Sequence, residues 1–111
     1  MVKEITKIRA KTNTDDELLK ECKEEAECNT CDSITWTEPT KGTRIDPPPN
    51  TVAVVVDLIH TRGAIRIYEN QGAYVNGVGT EEAGNRVIIP WEGSWWFYVA
   101  GTLAVGLVSG S

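Results

Sequence analysis

The cysteines of the chain, Cys22, Cys28 and Cys31, all fall within one acidic stretch, ECKEEAECNTCDS (21–33). Thiolates this close together can hold a metal, run disulfide exchange, or bridge to another thiol. Spacing discriminates among these. Three thiolates leave a structural zinc ion one ligand short of its usual four. His60 would have to complete the set, and no second Cys-x-x-Cys or His-x-His pair supports it. The ligand count therefore predicts no metal, with a zinc-stabilised interaction domain as an alternative reading. A redox Cys-x-x-Cys opens a helix, whose N-terminal dipole acidifies the thiol. CNTC instead closes an acidic segment, where carboxylates push thiol pKa values the wrong way. Cys22 suits a buried place on an apolar stripe, whereas Cys28 and Cys31, beside Asn29, Thr30 and Asp32, do not look buried. An odd thiol on an exposed element predicts disulfide bridging, between or within chains, formed outside a reducing cytosol.

Acid–base and nucleophilic chemistry is poorly supplied. The one histidine, His60, ends an apolar run with no Ser or Cys motif beside it, and reads as a rim residue. Glu81 and Glu82 sit in a polar loop, where a solvated surface explains them. GVGTEEAG lacks the helix that would aim amide groups at a phosphate. We expect no catalytic residue, no cofactor and no enzymatic activity.

The second dense feature is aromatic. Trp91, Trp95, Trp96, Phe97 and Tyr98 lie almost consecutively. In a strand, Trp95, Phe97 and Val99 share one face, and Trp96, Tyr98 and Ala100 share the other. One set fills a core. The other, with Trp91, must be covered by the chain's own helix or a neighbour, or must stack on a ligand. Trp91, Trp95, Trp96 and Tyr98 are thus the candidate interface patch, with a carbohydrate platform of Trp91, Trp96 and Tyr98 as the alternative.

These residues need positioning elements. A chain of 111 residues suits one modest core. Its net charge of −5 disfavours nucleic acid and anionic membranes. MVKEITKIRAK offers no apolar signal region, and WWFYVAGTLAVGLV is too short to span a bilayer as a helix. The acidity is local: Asp15, Asp16, Glu17, Glu21, Glu24, Glu25, Glu27 and Asp32 face only Lys20 and Lys23 over 13–32. Thr14 with Glu17 forms a capping-box pattern, and Leu18, Cys22 and Ala26 share a stripe, predicting a helix over 15–27 that ends near Asn29. Residues 1–13 read as an arm that is either frayed or docked on a neighbour, and Pro47, Pro48 and Pro49 as an extended linker.

Short alternating strands then recur: 33–37, 51–61, 64–68, 73–78, 86–90, 94–100 and 102–108. Gly-bearing turns separate them, without helices. In TVAVVVDLIHT, Val52, Val54, Val56 and Leu58 make the better core face, because Asp57 marks the opposite one as partly wet. The pattern predicts a mainly β chain. A small antiparallel sandwich or barrel would occupy 51–111, preceded over 1–50 by an arm, an acidic helix and a linker.

RIYENQGAYVNGVG, VIIP and SWWFYVAGTLAVGLV resemble the strand and turn pattern of small β-rich virion proteins of tailed bacteriophages. The matching positions are Asn70, Gly72, Val75, Gly77, Ile89, Pro90, Gly93, Val99, Gly101, Thr102 and Val105. The resemblance implies a capsid decoration or other head or tail accessory protein. Such a subunit would be made in the host cytoplasm and released by lysis. It would bind the major capsid protein or other virion subunits in repeated copies, with neither nucleic acid nor membrane as partner.

Overall fold

In a computed structural model of the chain, residues 8–10, 14–25, 31–92 and 94–110 are described. The fold is mainly β, with two antiparallel sheets and one helix. The elements run β1 (Ile8–Ala10), α1 (Asp15–Glu25), β2 (Ser33–Thr37), β3 (Thr51–Asp57), β4 (Ala64–Tyr68), β5 (Tyr74–Val78), β6 (Arg86–Pro90), β7 (Trp96–Ala100) and β8 (Ala104–Ser109). The larger sheet has the order β1-β6-β3-β8-β2, and the smaller has β5-β4-β7. Together they form a small sandwich.

Strand alternation builds the core. Val54, Val56, Val87, Ile89 and Val105 from the larger sheet meet Ile65, Ile67, Val75, Phe97 and Val99 from the smaller. Each fully buried side chain of this size adds about 1.5–3 kcal/mol of hydrophobic stabilisation. Trp91 and Trp95 pack edge-on to each other at 5.4 Å, and Trp91 also meets Phe97 at 5.7 Å. Gly101, at φ +94°, turns β7 into β8, where a side chain would be strained.

The expected division between an N-terminal appendage and a β body does not describe the structure. β1 and β2 form the two edges of the larger sheet, pairing with β6 and β8. Residues 8–10 of the supposed arm are thus ordered by ladder hydrogen bonds. The proline-bearing connection also docks: Ile45 and Phe97 exchange backbone hydrogen bonds of 2.8 and 3.1 Å, covering the outer edge of β7.

The helix begins as its sequence predicts. Thr14 Oγ1 accepts from the Glu17 N–H at 3.3 Å, and Trp36 Nε1 donates to Asp15 Oδ1 at 2.9 Å. Leu18 and Cys22 descend onto Ala53, Val55, Ile88 and Val108, the outer face of the larger sheet. That face was expected to be partly wet. Instead Ala53 and Val55 are fully buried, because the helix forms a third layer over them. Gly106 makes room there, since a Cβ at that position would stand 2.6 Å from Ile34 Cδ1.

Candidate functional site

The thiols lie in this helix–sheet seam. Cys22 is fully buried, as its place on the stripe predicts. Cys31 is 3 % exposed, which corrects the expectation that it faces outward. The segment entering β2 turns it inward, where it packs with the Leu18 and Val108 cluster. Cys28 lies outside the described residues, as does the expected end of the helix. A bridge from Cys22 or Cys31 to another chain would require the seam to open.

His60 is held by Asp57. Its Nδ1 donates to Asp57 Oδ2 at 3.1 Å. The backbone N–H groups of Ile59 and His60 donate to Oδ1 at 3.0 and 3.2 Å. Arg86 Nε stands 3.8 Å from the same carboxylate, and its guanidinium lies 5.0 Å above the Trp36 ring. Burial pushes the Asp57 carboxyl up. Hydrogen bonds from the His60 side chain and from both N–H groups, with the Arg86 charge, outweigh it and hold the pKa below 3.8. Burial of Asp57 is explained by these partners: it terminates β3 and caps the turn that follows. Among the described residues, no group of three or more Cys, His, Asp and Glu side chains converges as a metal site. Glu82, expected on the solvated surface, is 3 % exposed and sits 3.9 Å from Arg9 of β1. Glu81 stays exposed.

The aromatic patch divides between two places. Trp91 and Trp95 are 8 % and 4 % exposed inside the sandwich, so neither can present a ring to a partner. Alternation puts Trp95 on the Phe97 face, and Trp91 folds inward beyond β6, where its backbone N–H donates to Val52 O. Trp96 and Tyr98 do reach the outer face of the smaller sheet. They are joined there by residues that sequence spacing did not single out, because adjacency in a sheet is set by register. Tyr68 lies opposite Trp96, and Arg66 opposite Tyr98.

These side chains form one stacked array. Tyr68 lies parallel to Trp96 at 4.7 Å and to Tyr98 at 5.8 Å, with interplanar angles of 17° and 15°. Tyr74 meets Tyr68 edge-on at 5.6 Å. The Arg44 guanidinium stands 4.5 Å over the Trp96 ring while three hydrogen bonds tie it to Asp46. Trp96 Nε1 donates to Glu69 O at 2.9 Å. The Tyr68 and Tyr98 hydroxyls lie 3.4 Å apart, and this hydrogen bond raises the Tyr68 pKa above 10.0. Trp96 thus has Tyr68 and Arg44 against its ring, and does not offer the bare aromatic face that sugar stacking needs. What the array offers outward is ring edges, hydroxyls and cations.

No helix among the described residues is long and apolar enough to cross a membrane. In comparisons with protein families, curated proteins and solved structures, none matches the chain.

Proposed function

We propose that the chain is a non-enzymatic structural subunit that binds neighbouring proteins of a larger assembly through the outer face of β4, β5 and β7. The observation that carries this reading is the solvent-facing array of Tyr68, Tyr74, Trp96, Tyr98, Arg44 and Arg66 on a sheet that the helix does not cover. Tyr, Trp and Arg are the residues that dominate binding energy at protein interfaces. Pre-stacked rings lose little side-chain freedom on docking. The body measures 31 × 28 × 23 Å. One such face is comparable to the roughly 800 Å² that each partner contributes to a standard interface.

The assembly in which we place it is a bacteriophage virion, on the strength of the strand and turn pattern between Arg66 and Val108. The partner is then the major capsid protein or another head or tail subunit, met in repeated copies. Cross-linking through Cys22 and Cys31 does not enter the proposal, since both sulfurs lie inside the subunit.

Purified particles from lysates in which the chain is made should carry it at a fixed ratio to their major shell protein. Replacing Trp96 and Tyr98 together by Ala should leave a folded chain in the unbound fraction. Absence from the particles rejects the virion placement. Unchanged attachment of the double variant rejects the face.

A further inference from the structure

Beside the stacked array, at the β5 side of the same sheet, lies a cleft of about 510 Å³. This is within the roughly 300–1,000 Å³ of small-molecule sites. Much of its lining is small: Gly63, Ala64, Gly77 and Ala100. Arg66, Tyr74, Thr80 and Glu81 add polar groups to it.

Two glycines shape it. A Cβ at Gly77 would stand 2.8 Å from Tyr74 Oη, so the phenol lies down along the strand over the missing side chain. A Cβ at Gly79 would stand 2.7 Å from Glu81 Oε2, so the carboxylate folds back over that glycine. Tyr74 is 41 % exposed and inclined 74° to Tyr68, outside the parallel stack. Neither Arg66 nor Glu81 forms an ion pair among the described residues.

We infer that this cleft binds a pyranose sugar. The apolar C–H face of a pyranose fits a flat-lying phenol ring, which combines apolar surface with a polar tip. Its vicinal hydroxyls match the Arg66 guanidinium and the Glu81 carboxylate of the lining, giving charge-assisted hydrogen bonds in both directions. The small lining residues let the ring settle close to the sheet. An acidic ligand would meet Glu81 and a basic one Arg66, so a neutral ligand rich in hydroxyls fits better than either. The cleft shares Tyr74 and Arg66 with the docking face but uses neither Trp96, Tyr98 nor Arg44, while Glu81 belongs to the cleft alone.

Saturation-transfer NMR on the intact chain tests it, with the methyl glycosides of glucose, galactose, mannose and N-acetylglucosamine as probes. At least one should receive magnetisation and shift the amide resonances of residues 74–81. Tyr74→Ala should weaken that glycoside's binding about tenfold, the scale of one lost aromatic contact. Gly79→Ala should weaken it with an unchanged melting temperature, because only the end of the flexible Glu81 side chain must move. Trp96→Ala should leave it in place, which separates this site from the docking face. No transfer to any of the four, or undiminished binding by folded Tyr74→Ala, overturns the inference.

Discussion

The two outer faces of the sandwich solve opposite problems. The larger sheet turns Ala53, Val55, Ile88 and Val108 outward, small and aliphatic, and a helix seals them. The smaller sheet turns Arg66, Tyr68, Tyr74, Trp96 and Tyr98 outward, and these cover one another. An aliphatic face in water has no polar handle, so it requires a third layer. A face of Tyr, Trp and Arg carries hydroxyls, an indole N–H and guanidinium groups, and tolerates solvent while remaining adhesive. The difference separates a surface whose job is stability from one available for recognition. Substitutions should therefore act on folding at the first and on binding at the second.

The largest effect is expected beneath the helix. Leu18→Ala should remove about 2–5 kcal/mol of stability, because the residue is 1 % exposed and the seam cannot collapse freely around the void. Denaturant unfolding measures this directly. A loss below 1 kcal/mol, on the order of a surface change, would show that the third layer contributes little and would break the contrast between the faces.

Next in size is the carboxylate at the end of β3. Asp57→Asn should cost about 1–3 kcal/mol, since the cap on two N–H groups is weakened and Arg86 loses a charged neighbour. Its pH dependence has a definite sign. The Asp57 pKa is lower in the folded chain than in the unfolded one, so its stabilisation is complete above the ordinary value of 3.8. The stabilisation is lost as pH falls through the lower folded value. Wild-type stability should drop in that acid range more steeply than that of the Asn variant. Parallel curves would mean that the carboxylate's partners are not formed in solution.

Much of this architecture is legible from local patterns, and the sites are less so. Alternation places Trp95, Phe97 and Val99 on one face, and the capping pattern at Thr14 starts the helix where it is found. Asp57 misleads, because one carboxylate at a strand end reads as wetness when hydrogen bonds and Arg86 satisfy it under cover. Cys31 misleads similarly: Asp32 and Ser33 after it are exposed, while its own side chain is buried. β1 is too short to carry a period and exists only through its pairing with β6. Tyr68, Tyr74 and Arg44 were missed as site residues because they are remote from Trp96 in sequence. The register of β4 against β7 and β5 brings Tyr68 and Tyr74 to Trp96, and the Ile45–Phe97 bridge brings Arg44. Tyr68 alternating with Ile67 was an available signal, since an aromatic on the wet side of a strand needs an explanation.

On the open face, Trp96→Ala should cost only about 1–2 kcal/mol, from one stacked neighbour and a partly exposed ring. Attachment to the partner should fall far more than stability. Measuring the melting temperature alongside particle binding separates these outcomes. A variant that unfolds would assign the array to structure and erase the distinction between the two faces.

The smallest change probes the array atom by atom. Tyr98→Phe keeps the stacked ring and deletes one hydroxyl at a solvent-facing position, so stability should move by no more than about 0.5 kcal/mol. The Tyr68 phenol, however, loses the hydrogen bond that raises its pKa. A folded pKa above the unfolded 10.0 favours the protonated chain, so that contribution is present below 10.0 and fades as pH rises through the folded value. Ultraviolet titration should show one tyrosine ionising late in the wild type and earlier in Tyr98→Phe. An unchanged titration would mean that the 3.4 Å hydroxyl contact is not maintained in solution. The rings would then be mobile, and the preorganisation that makes this face suited to docking would be lost while the helix-covered face stayed rigid.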